Sequence, residues 1–284
     1  MVTSNMQELN ERINNAWHGS IDIHVHAAPD PIAARRHDAY DLAIACRDAG
    51  MRAIVFKSHE YPTLPTAHVL NRVVTGFTVF GAISMDDEVG GLNPHALEAS
   101  AKMGAAVCWM PTFCAAHWRR TRFQRDDGIE ILDEAGALKA VVHELLDILH
   151  AHDMVLATGH LSPEEQQVLV PEARRREIKT VITHAELTPV PTELCREFSA
   201  LGAFVEHAYI ALVGGGRHSF TSIAAGIREA GASQAILSTD LGQAANPSPP
   251  EGLRMFIAGM LGQGFSDEEV ARMVKGNPAG LLGI

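Results

Sequence analysis

The sequence predicts an α/β fold: one (β/α)₈ barrel of the TIM type over residues 1–284, with a short N-terminal helix and added C-terminal helices. Three observations predict it. Short apolar runs alternate with helical patterns from end to end, eight such runs can be counted, and their C-terminal ends collect histidines and acids. An open doubly wound sheet is the alternative, because closure cannot be read from periodicity.

The strand candidates, in order, are Ser20–His26, Arg52–Ser58, Thr78–Ser84, Ala105–Thr112, Met154–Thr158, Thr180–His184, Ala203–His207 and Ala235–Asp240. Helical stretches between them include Ala39–Ala49, Pro94–Met103, Leu138–Ala151, Pro163–Glu177, Thr192–Ala200 and Ser219–Ala230. Gly50, Gly76, Gly104, Gly202 and Gly231 stand where helices end. The longest connection, Phe113–Ala137, carries Arg119, Arg120, Arg122 and Arg125, and its length implies function or an extra hairpin. Two helices are expected near Pro250–Leu261 and Ser266–Lys275.

Composition narrows the function. A formal charge of −11 argues against nucleic acid as a partner. No apolar run approaches the roughly 20 residues that span a bilayer, so no membrane partner is expected. Cys46, Cys108, Cys114 and Cys195 show no paired spacing, which reads as reduced, buried thiols. With a polar N-terminus lacking a signal-peptide pattern, this predicts a cytoplasmic protein. A small-molecule substrate is the expected partner, and a homo-oligomer is left open.

Chemistry concentrates at strand ends. In Ile21-Asp22-Ile23-His24-Val25-His26, alternation puts His24 and His26 on one face and Ile23 and Val25 on the other, toward a helical layer. Two imidazoles so spaced can grip one cation, although an isolated pair can also arise by chance. His160, His184 and Asp240 close the fifth, sixth and eighth strand candidates. A barrel gathers all these ends at one mouth.

This order of residues resembles the amidohydrolase superfamily, as do Ala157-Thr158-Gly159-His160-Leu161-Ser162-Pro163 and Asn277-Pro278-Ala279-Gly280-Leu281-Leu282-Gly283. The resemblance covers nearly the whole chain by strand order and implies a metal-dependent hydrolase. It implies His24, His26, His160, His184 and Asp240 as ligands of one or two divalent ions. Zinc suits the donors best, with manganese, iron or nickel also open. Asp240 is the expected catalytic base toward a metal-activated water.

One departure stands out. Many two-metal members carry a carboxylated lysine ending strand four, where this chain reads Val107-Cys108-Trp109-Met110-Pro111-Thr112. Lys57 ends strand two instead, on one face with His59, so Lys57 is either a displaced bridging ligand or a substrate-binding ammonium. Further substrate-binding candidates are His59, His207, Arg119 and Arg122. One of Glu206 and His207 must face the mouth, Glu88 is a reserve ligand, and Gly214-Gly215-Gly216 reads as a hinge or a plain connection.

The expected function is hydrolysis of a C–N or C–O bond in an amide, cyclic amide, ester or lactone. Metal-dependent non-oxidative decarboxylation or a related lyase reaction is the alternative, since such barrels work without the bridging lysine. A catalytically silent metal-binding barrel is the third reading. No glycine-rich nucleotide fingerprint or GxSxG elbow is present.

Overall fold

A computed structural model describes residues 2–213 and 217–284; the glycine run 214–216 read as a hinge lies outside them. Eight parallel strands pair strictly in chain order. They are β1 (Ile21–Val25), β2 (Ala53–Phe56), β3 (Thr78–Ser84), β4 (Val107–Trp109), β5 (Val155–Ala157), β6 (Thr180–Ile182), β7 (Phe204–Ala208) and β8 (Ala235–Ser238). The ring closes where β8 returns to β1. The Asp240 N–H donates to the His24 carbonyl at 2.8 Å, and the His26 N–H to the Leu241 carbonyl at 2.8 Å. This is a near-closed (β/α)₈ barrel, as the alternation predicts.

Twelve helices of very unequal length surround it among the described residues: α1 (Val2–Trp17), α2 (Ala39–Asp48), α3 (Leu64–Val73), α4 (Pro94–Lys102), α5 (Ala116–Trp118), α6 (Ala140–Ala151), α7 (Pro163–Arg175), α8 (Thr192–Ala200), α9 (Phe220–Ala230), α10 (Pro249–Gly262), α11 (Asp267–Ala271) and α12 (Asn277–Leu282). Local chemistry sets their starts. Ser162 and Glu165 close a capping box at α7, and Ser266 and Glu269 do the same at α11. None of these helices is long and apolar enough to cross a membrane.

Strand alternation divides the apolar residues. Val55, Ala82, Val107, Trp109, Val155, Ala157, Val181 and Ile236 fill the barrel interior, and Leu281 of α12 plugs its floor. Ile54, Phe56 and Leu237 face outward against Leu42, Phe256 and other helical residues. The quoted Asn277–Gly283 segment is therefore structural: it seals the end opposite the mouth.

β1 corrects one expectation. Val25 faces the helical layer, but Ile23 packs inside the barrel with Val55 and Trp109. The pairing of β1 with β2 slips between Asp22 and Val25, so one extra residue is accommodated there. This bulge lets Ile23 and His24 both turn inward. Asp22, fully buried, spans the seam by accepting from the His24 N–H, the Thr239 N–H and the Thr239 hydroxyl at 3.1, 3.1 and 2.6 Å.

Candidate metal centre

At the C-terminal mouth the structure brings His24, His26 and Asp240 together, with one donor atom from each lying within 4.8 Å of the others. His24 Nε2 and His26 Nε2 stand 3.2 and 3.0 Å from Asp240 Oδ1. Both imidazoles are buried. Asp240 takes φ +52° and His184 φ +26°, a left-handed conformation uncommon for side-chain-bearing residues and concentrated at functional sites.

Two glycines make the crowding possible. A Cβ at Gly242 would collide with the His26 carbonyl oxygen, and one at Gly159 with the Met110 carbonyl oxygen. Without them the loops bearing Asp240 and His160 would be pushed off the neighbouring strand ends. The His160 N–H donates to the Pro111 carbonyl at 2.9 Å, which seats that residue over β4.

His160 and His184 form the other half of the cluster, with their Nε2 atoms 3.0 Å apart. His184 stacks against His24 at 5.9 Å between ring centroids. Lys57 is fully buried, its Nζ 3.1 Å from His24 Nε2 and over the Trp109 ring. His59 stacks on His26 at 5.0 Å, and its Nδ1 meets the Thr112 hydroxyl at 2.6 Å. Behind Thr112 lies the buried Asp86, which accepts from the Thr112 hydroxyl and from its N–H.

Electrostatics keep these groups in metal-binding forms. Burial pushes His26 and His160 well below the ordinary imidazole range, and brings His184 to about 4. Burial and the nearby Lys57 bring His59 to about 4 as well. All four are neutral at pH 7, with a lone pair available. Burial would raise Asp240, but His24, His26 and His184 hold its carboxyl well below the usual carboxylate range. Burial also lowers the Lys57 ammonium, against the pull of Asp240, Asp86 and Glu206.

Glu206 is the residue sequence reasoning left undecided. It turns inward from β7, its Oε1 2.9 Å from His24 Nδ1, while its Oε2 accepts the His184 N–H at 2.8 Å. The Ser238 hydroxyl donates to Oε1 at 2.5 Å. Burial acts to raise this carboxyl, yet His24, His184 and these bonds lower it to about 2. His207, one residue on, faces away from the mouth toward α8 and α9, with its Nδ1 2.6 Å from Glu186 Oε1. The strand's period of two allows only one of the pair inside.

The other candidates separate in the same way. Glu88 is exposed and not part of the cluster. Arg119 is tied to Asp87 at 2.7 Å. Arg122 lies over the Trp118 ring at the rim and donates to the Leu187 carbonyl at 3.3 Å. Their loop is ordered by short bridges, Ala115 with Ile129 and Leu132 with Leu138, as its length implied. It sets Phe113 4.0 Å from His59 and Trp118 4.1 Å from His160, walling a cavity of about 270 Å³ above the cluster.

The donors present fit a divalent ion. Glu206 occupies His24 Nδ1 and leaves Nε2 facing Asp240, the arrangement that orients a metal-bound histidine. The Nδ1 atoms of His26, His160 and His184 are buried with no hydrogen-bond partner among the described residues. Buried polar atoms ordinarily have one, so these rings carry hydrogen-bonding capacity that a water or ligand would take up, while their Nε2 atoms face the cluster.

Solved structures share this architecture at low identity. An amidohydrolase from Pseudomonas aeruginosa superposes with a TM-score of 0.66 at 12% identity, covering 95% of this chain and 97% of that one. A proposed 2-pyrone-4,6-dicarboxylic acid hydrolase from Pseudomonas putida gives 0.63 at 15%, over 93% and 97%. A 2,6-dihydroxybenzoate decarboxylase from Rhizobium gives 0.54 at 11%, over 94% and 99%. No curated protein matches the sequence. The chain thus shares its barrel fold with these amidohydrolase, hydrolase and decarboxylase structures. It belongs to DUF6282, a family of unknown function whose profile matches residues 19–206.

Proposed function

We propose that the chain is a metal-dependent hydrolase acting on a C–N or C–O bond of a small molecule. The observation that carries this reading is the convergence of His24, His26 and Asp240 at the barrel mouth. His160, His184 and Lys57 complete the proposed ligand set, with Lys57 serving as a carboxylated bridge or as a cation toward substrate. Zinc is the proposed ion. Such an ion supplies an activated water and polarises a carbonyl when bound.

The chain's own groups account for the rest. Asp240 stays ionised and faces the cavity, so one of its oxygens can take a proton from the attacking water and release it to the leaving group. Glu206 fixes the tautomer of His24. Phe113 and Trp118 shield the cavity from bulk water and offer flat apolar surface to a substrate.

Decarboxylation is the second reading, favoured by the mouth end of β4, which offers Trp109 and Met110 rather than a bridging acid or lysine. The two part experimentally. Metal-loaded protein incubated in ¹⁸O water with panels of amides, lactams, esters, lactones and hydroxybenzoates should place label in an acid product. Carbon dioxide release with no labelled acid product formed supports the second reading. Asp240→Asn should abolish turnover with the fold intact; full activity in that variant refutes the role given to Asp240.

A further inference from the structure

The loop between β1 and α2 holds an arginine that the chemistry above does not use. Arg35 lines the same cavity as His26, His160, His184 and Asp240, yet its side chain is only 4% exposed. Charged side chains are rarely so buried unless paired. Asp30 pairs it on one side only: Oδ2 accepts from Nε at 2.7 Å and forms an ion pair with Nη2 at 2.5 Å. The third guanidinium nitrogen, Nη1, has no acceptor among the described residues, and it is not one of the atoms sealed from solvent.

The loop around Arg35 is fixed in place. The Arg36 N–H donates to the Gly242 carbonyl at 2.8 Å, and the Ala244 N–H to the Ala34 carbonyl at 2.9 Å. Arg36 also reaches the Ala244 and Asn246 carbonyls through its guanidinium. Asp30 is itself anchored by the Ile32 and Ala33 N–H groups on Oδ1, at 2.8 and 2.7 Å. The segments carrying Asp240 and Arg35 are therefore stitched together, and the guanidinium cannot swing away from the cluster.

Resting on the hydrolase reading, the geometry points to Arg35 as the anchor for a carboxylate on the substrate, which restricts the substrates to small organic acids. A guanidinium whose one edge is already held presents the remaining donors in a fixed direction, at little entropic cost on binding. The two acids on the same wall do not neutralise that edge. Asp30 spends both oxygens on bonds already named. Glu60 accepts the Ser58 hydroxyl on Oε2 and makes no hydrogen bond to Arg35.

Calorimetry on zinc-loaded protein tests this, with benzoate and glutarate as probes and benzamide and glutaramide as uncharged controls. Wild type should prefer the carboxylates, and Arg35→Gln should lose roughly tenfold or more of that affinity. Arg35→Lys, which keeps the charge without the fork, should recover only part and serves alone if Arg35→Gln fails to fold by circular dichroism. Carboxylate affinity unchanged in the folded variants, or no carboxylate binding to wild type, overturns the assignment. Zinc uptake is measured separately. A protein that takes up no zinc defeats the metal centre, and Arg35 is then judged by the same comparison on the metal-free form.

Discussion

Glu206 holds His24 from behind: its Oε1 lies 2.9 Å from Nδ1, on the side of the ring away from Asp240, so that Nε2 is the atom presented to the cluster. The same carboxylate accepts the His184 N–H. One buried acid thereby sets the orientation of two proposed ligands that are distant in sequence.

Glu206→Gln should weaken metal binding by roughly 10–100-fold, the usual cost of losing a ligand-orienting partner. Competition against a chromophoric chelator measures it. An affinity equal to wild type would mean that Glu206 only fills space.

Stability of the metal-free protein should fall as pH drops from about 6.5 to about 4. His59 and His184 have folded values of about 4 against an ordinary 6.5, so the unfolded chain takes up their protons first. Their contribution is complete above the unfolded value and lost below it. Asp22, pushed up to about 7 by burial, works the other way over this window. One carboxyl is outweighed by two imidazoles at about 4 and by His26 and His160, which lie well below the ordinary range. Urea midpoints at pH 7, 6, 5 and 4 check the slope. A midpoint that holds or rises toward pH 5 contradicts it.

Gly242→Ala should destabilise the fold by about 2 kcal/mol or more, since the added carbon meets the His26 carbonyl and the backbone φ is +147°. Thermal unfolding reads this directly, and a melting temperature within a degree or so of wild type would show that the β1 and β8 ends can separate cheaply.

Asp22→Ala should cost about 2–4 kcal/mol, because two backbone N–H groups and a hydroxyl lose their buried acceptor. Asp22→Asn, which keeps an acceptor oxygen, should cost less. Unfolding free energies equal to wild type in both variants would remove Asp22 from the barrel seam.

Much of this architecture was legible in the chain. The alternation that spaces Ile54, Phe56 and Val55 onto opposite faces is local, so the strands and their order follow from it. The gathering of His24, His26 and Asp240 follows from barrel closure rather than from any motif between them. What escaped depends on single-residue shifts and long-range pairing. A bulge in β1 turned Ile23 inward, and alternation cannot foresee a bulge. Glu206 and His207 are adjacent and both polar, so the parity of β7 had to be seen. Arg35 lies in an irregular loop, where the anchoring Asp30 and the contacts to Gly242 and Ala244 have no periodic signature. The arginine-rich stretch drew attention by composition, yet Arg119 is engaged by Asp87.

The shared ion is tested most directly by an anomalous-difference map of crystals grown from zinc-loaded protein. The account predicts a peak bonded by His24 Nε2, His26 Nε2 and an Asp240 oxygen at about 2.0–2.2 Å. Clean density at the barrel mouth with no peak, or a peak bound elsewhere on the molecule, would contradict it.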